Sequence, residues 1–236
     1  MKTLNWLFTL TSINVLLVTI ERFSPTTKIL LQPYNFLRLH EILQMTTLIL
    51  FTVVLPVFIL KVVTNNFAAL KMKHGLLLLL LFISGIYFYS TGNGLHEVSS
   101  FNFNNFCDTR HITDDVCGSF FFNDFYTGNI FYFIGAVLMV IPLLLFEKQN
   151  PINTFDKKNM IILVINALVY SLAIFAYAAF DRVLVGFVYA VAVTVVTIPL
   201  FWSIRKNYKR YPFITDTTIT YVVGLLLSIY PRFLIK

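Results

Sequence analysis

The 236-residue sequence predicts an all-α, polytopic integral membrane bundle of about seven transmembrane helices, and three observations carry that prediction. Hydrophobic residues make up 58% of the chain and charged residues 12%, against roughly 25% charged residues in soluble domains. Mean hydropathy is +0.77. Seven windows stay apolar for about the 20 residues that a helix needs to cross a hydrocarbon core about 30 Å thick. The windows lack the period-2 alternation of barrel strands, and unpaired backbone groups are too costly in lipid, so helices are the consistent spanning structure. One membrane domain, residues 1–236, is expected, multi-pass and in the cell membrane, with membrane lipids as its surroundings.

The first window, residues 4–20, follows Met1-Lys2 and so resembles a secretory leader. Its apolar run exceeds the usual leader core, and Glu21-Arg22-Phe23-Ser24-Pro25 offers no small-x-small cleavage site, so a retained helix is expected. The second window, 39–63, opens on Leu39-His40-Glu41, and the third, 76–98, closes on Leu95-His96-Glu97. Residues 99–128 are expected to form the one long loop. They hold Asp108, Asp114, Asp115 and Asp124 against a single Arg110, together with both cysteines.

The fourth window is 129–146. In the fifth, 160–180, Asn166, Tyr170 and Tyr177 recur at helical spacing on one stripe. Asp181-Arg182 reads as a tight turn with a local ion pair before the sixth window, 183–204, to which Tyr189, Thr194 and Thr197 add polar groups. The seventh, 215–235, is marginal because Asp216 sits in its first turn; Glu147, Asp156 and Asp216 read as charge flanking the spans. Pro56, Pro142 and Pro199 fall in the same half of the second, fourth and sixth helices, where a shared layer of kinks would suit a moving bundle.

Lysine and arginine set the orientation. With the N-terminus cytoplasmic, eleven of the 18 lie in inner segments and seven in outer ones, which predicts N-in, C-out and an extracytoplasmic loop 99–128. The net charge of +7 then follows mainly from this bias, and nucleic-acid binding is not implied because no soluble domain presents a basic patch. On the oxidising side, Cys107 and Cys117 are close enough in the chain to be joined, so a disulfide is expected.

Opposite chain directions place the start of the second helix and the end of the third at one membrane face, whatever its absolute orientation. His40, Glu41, His96 and Glu97 therefore converge there, beside the acidic connection that carries Asp124. Imidazole and carboxylate together suit a divalent metal or an acid–base pair. His40, His96, Glu97 and Asp124 are the expected metal ligands, with Glu41 completing the catalytic group. Helical metal motifs space their ligands i, i+3 or i, i+4, and these adjacent pairs do not, so one member of each would act as ligand and the other behind it. Residues at helix ends are also where solvation puts charge, and Arg38 with Glu41 has the i, i+3 spacing of an ordinary ion pair.

No histidine follows His111, so the later helices hold no His-x-x-x-His zinc motif; no phosphate-binding loop, nucleophile elbow or haem-attachment motif occurs, and only Lys236 lies near the end where a retinal Schiff base would need a buried lysine. The leading expectation is a metal-assisted membrane enzyme acting on a lipid or other amphiphile. The alternatives are a small transporter or channel for a cation or polar solute, and a non-catalytic scaffold whose loop binds a partner.

Overall fold

The computed structural model describes residues 2–112 and 114–234. Met1, Thr113, Ile235 and Lys236, including the expected end of the last span, lie outside the described residues. Seven helices among the described residues are long and apolar enough to cross a membrane, and no strand occurs there. The first is Lys2–Glu21. The second, Leu39–Val63, contains a π-helical stretch at Gln44–Leu48. The third is Gly75–Phe106, and the fourth, Asp115–Gln149, is π-helical at Asn123–Gly128. The fifth is Lys157–Phe180, the sixth Val185–Ile204 and the seventh Pro212–Phe233.

The connection between the third and fourth helices differs from its sequence-based expectation. Residues 99–106 and 115–128 are helical, so the described non-helical residues of the connection are 107–112 and 114. At 1.5 Å per residue, the 32 residues of the third helix extend about 48 Å, well past the hydrocarbon. Polar residues beyond the bilayer hide such an extension from a hydropathy window, but aromatic packing maintains it. Phe101 and Phe103 are completely buried, and Phe103 lies 5.5 Å from Phe121 and 6.1 Å from Phe125 between ring centroids. Arg38 lies over Phe101 and Arg182 over Phe125 at 5.4 and 5.2 Å, respectively. Asp114 caps the fourth helix by accepting a 2.7 Å hydrogen bond from the Cys117 amide, and the Cys107–Cys117 disulfide closes the hairpin with Cα atoms 5.7 Å apart.

The third and fourth helices form one of the two most extensive packing pairs, the fifth and seventh the other. Glycines permit the first approach. A Cβ at Gly92 would meet the Gly128 carbonyl oxygen at 2.6 Å, and one at Gly135 would meet that of Gly85 at 2.7 Å. Small residues at such contacts let backbones touch where lipid supplies no hydrophobic drive. The first helix joins the fifth through buried polar contacts: Ser12 donates to the Asn166 carbonyl at 3.0 Å, and the Asn166 amide donates to Thr9 Oγ1 at 3.0 Å. Asn166 thus binds helices together, while Tyr170 and Tyr177 from the same expected stripe face internal space. Pro56, Pro142 and Pro199 lie inside their helices, each within about two turns of the same end of the bundle.

Candidate functional site

The first four helices deliver an ionisable cluster toward one end of the bundle. The first helix ends at Glu21, followed by Arg22; the second supplies Arg38, His40, Glu41 and Gln44, the third His96 and Glu97, and the fourth Asp124. The loop between the first two helices folds back through an antiparallel bridge of Leu30 with Arg38, bringing His40 against Glu21.

The expected histidine–carboxylate groups meet in separate pairs. His40 Nδ1 donates to Glu21, whose carboxylate also accepts from Gln44 Nε2 at 3.0 Å and from Ser24 and Thr26. The other face of that ring, Nε2, lies 3.8 Å from Glu97, which is 3% exposed. His96 Nδ1 is 2.8 Å from Asp124 Oδ1, but its N–H is better aligned with the Asp124 backbone carbonyl at 3.1 Å. A carbonyl can only accept, so Nδ1 carries the proton and Nε2 is the acceptor, 3.3 Å from Arg22 Nη2. Glu41 stands apart from both. It takes the Arg38 amide at 2.8 Å and the Arg38 guanidinium, the i, i+3 pair that the spacing suggests.

This geometry does not fit a shared divalent metal. Among the described residues no three His, Cys, Asp or Glu side chains converge to hold one. The physical reason lies in the pairing of His40, His96, Glu97 and Asp124. Each Nδ1 is already engaged by a different partner, and the Arg22 guanidinium occupies the space beside His96 Nε2, where it would repel a cation.

A groove of about 350 Å³ opens beside His96. Arg22, His96 and Asp181 give it a polar end; Phe23, Phe125 and Phe180 form apolar walls. Asp181 and Arg182 do not make the local pair expected of them. The Asp181 carboxylate accepts from Asn129 Nδ2 at 3.4 Å, its backbone carbonyl accepts from Arg232, and Arg182 reaches the Thr109 carbonyl at 3.4 Å. Burial pushes the Asp181 carboxyl above the ordinary aspartate range, opposed by hydrogen bonds from the Val183 and Arg182 amides.

Sequence reasoning missed Glu21 and Arg22 as site residues, weighing them as a cleavage context and Arg22 also as one of the outer charges that set the orientation. It also placed Glu147 and Asp216 among flanking charges, whereas both are buried. Glu147 is wholly buried and accepts the Phe213 and Ile214 amides at 2.9 and 2.7 Å, capping the seventh helix from a neighbouring helix. Tyr89 and Tyr132 stack at 4.3 Å with hydroxyls 2.8 Å apart, between a small pocket holding Glu97 and a larger central cavity.

The chain has the architecture of a multi-pass membrane protein, with seven apolar helices. No family model matches it, and no curated protein or solved structure resembles it closely enough to indicate a specific activity.

Proposed function

We propose that this protein is a membrane-embedded acid–base enzyme acting on a lipid or other amphiphile, with His96 as the proton-transfer group and Arg22 as the anchor for an anionic or strongly polar head. The observation that carries this reading is the orientation of His96: Nδ1–H is held by Asp124, and Nε2 faces an amphiphile-shaped groove beside Arg22. Fixing one nitrogen as donor leaves the other poised to take a proton, and the adjacent Asp124 carboxylate, 1% exposed, stabilises the imidazolium that forms. A head group that draws the Arg22 guanidinium onto itself frees the Nε2 lone pair. Glu21, His40 and Glu97 line up as a further proton path behind the site, with His40 between two carboxylates. Glu41 belongs to the frame, holding Arg38.

A second reading, transport of a cation or polar solute, draws on the stacked arrangement of the Glu97 pocket and central cavity with the Tyr89–Tyr132 pair between them. One experiment separates the two. The purified protein is reconstituted into vesicles of the expression host's total lipid extract, and lipid masses are followed over time. Enzyme action predicts a change of mass in one lipid class, slowed about 10²- to 10⁴-fold by His96→Ala, the usual range for a positioned acid–base group. Arg22→Ala should mainly raise the substrate concentration required. An unchanged lipid profile with wild type, together with solute uptake that His96→Ala removes, would turn the assignment to transport.

A further inference from the structure

We infer that the cavity at the centre of the bundle is a binding site for a small monovalent cation, held by the carboxylate of Asp216. It is distinct from the groove around His96 and stands or falls independently of the enzyme reading. All seven helices contribute to its wall, and its volume is about 90 Å³. Asp216, 7% exposed, lines it, and Oδ1 of this residue has no hydrogen-bond partner among the described residues. A carboxyl removed from water gives up its proton only where a donor or a cation compensates the charge, so a bound cation and the proton would compete for this group.

The threonine and Tyr89 donors of the remaining polar wall are already committed, whereas Tyr170 makes no hydrogen bond among the described residues and the Tyr189–Tyr221 pair leaves one O–H free. Thr11 donates to the Leu7 carbonyl at 2.8 Å, Thr52 to Ile49 at 2.7 Å, Thr217 to Phe213 at 2.8 Å and Thr220 to Ala167 at 3.3 Å. The Asn14 amide nitrogen donates to the Leu48 carbonyl at 3.1 Å. What the threonine hydroxyls and the Asn14 side-chain oxygen offer the cavity is lone pairs. No lysine, arginine or histidine is among the lining residues. Size and charge narrow the ligand further. The space is smaller than the 150 Å³ or so of an apolar cavity that admits benzene, so a bulky organic ammonium does not fit. A single carboxylate lines it, whereas dedicated calcium sites gather several oxygen ligands with more than one carboxylate. Glu147 does not enter the wall, since both its oxygens are taken by helix amides.

The test uses the purified full chain in detergent at constant ionic strength, with N-methyl-D-glucamine chloride as the reference salt because that cation is too large for the cavity. Replacing it with NaCl or KCl should raise the melting temperature saturably, and Asp216→Asn should weaken the apparent affinity at least tenfold. Equilibrium binding of radioactive sodium to wild type, displaced by NaCl or KCl, should saturate near one ion per chain; this measurement stands even if the variant does not fold. Equal melting temperatures in all three salts with no saturable sodium binding would overturn the site, as would an Asp216→Asn variant that binds like wild type.

Discussion

Replacing Glu147 by leucine should destabilise the bundle more than any other substitution of a single charged side chain. The side chain is completely buried and accepts two amides of the seventh helix, those of Phe213 and Ile214. Tyr211, at the N-cap, offers no side-chain cap of its own, so Glu147 performs this work from the fourth helix. Exchanging a buried ionic group for an apolar one is often neutral when both partners are replaced. Here the partners are backbone N–H groups and remain behind. At about 1–3 kcal/mol for each buried donor left unsatisfied, Glu147→Leu should cost about 2–6 kcal/mol. Glu147→Gln keeps one acceptor and orphans one donor, so it should cost about 1–3 kcal/mol. Both are large beside a typical total of about 5–15 kcal/mol. Reversible unfolding in mixed micelles with increasing sodium dodecyl sulfate reads the difference. The reasoning fails if Glu147→Leu unfolds within about 0.5 kcal/mol of wild type, the scatter expected of an ordinary surface change.

Unreduced protein treated with an alkylating reagent should show neither Cys107 nor Cys117 modified by mass spectrometry, and Cys107→Ser should lower stability by about 2–4 kcal/mol. Gly92→Ala should loosen the pairing of the third and fourth helices by about 1–3 kcal/mol, the usual scale of overpacking, because its Cβ would meet backbone at 2.6 Å; an unchanged melting temperature would contradict this. Because burial raises the native pKa of Asp181, its ionisation opposes folding: the contribution favours the native state at low pH and is lost as pH rises through the native value. Asp181→Asn should therefore gain stability over wild type as pH rises and lose that advantage on acidification, and a pH-independent difference would refute it. Impermeant labelling at residues 99–128 should succeed from outside the cell, as the distribution of lysine and arginine predicts.

The seven spans were legible because roughly 20 apolar residues in sequence have few alternatives to a membrane helix. Helix ends were not, since Ser99 to Phe106 leave the hydrocarbon and hold helical form through contacts with Phe121 and Phe125 that hydropathy does not measure. Antiparallel chain direction was enough to gather His40, Glu97, His96 and Asp124 at one end. It could not reveal their partners, because which carboxylate meets which ring depends on helix rotation. Glu21 and Arg22 carry no motif, and only the return of the chain through Leu30 and Arg38 makes Glu21 a partner of His40. Asp216 was misread for a similar reason: a charge near a helix end is ordinarily solvated, and nothing local signals that all seven helices enclose it.

The two π-helical stretches impose a constraint on chain length. Gln44 and Asp124, the partners of Glu21 and His96, lie within them, at Gln44–Leu48 and Asn123–Gly128. A π turn accommodates one residue more than the α-helical ladder around it, so the segments on either side are offset by one position, about 100° of rotation. Removing a single residue from either stretch would restore an unbroken α-helix while swinging the outer segment by that angle. In the second helix the swing would carry His40 off Glu21, and in the fourth it would carry Phe121 off Phe103. The lipid-facing part could remain a sound membrane helix throughout, so a one-residue deletion there could disarm the site without unmaking the bundle.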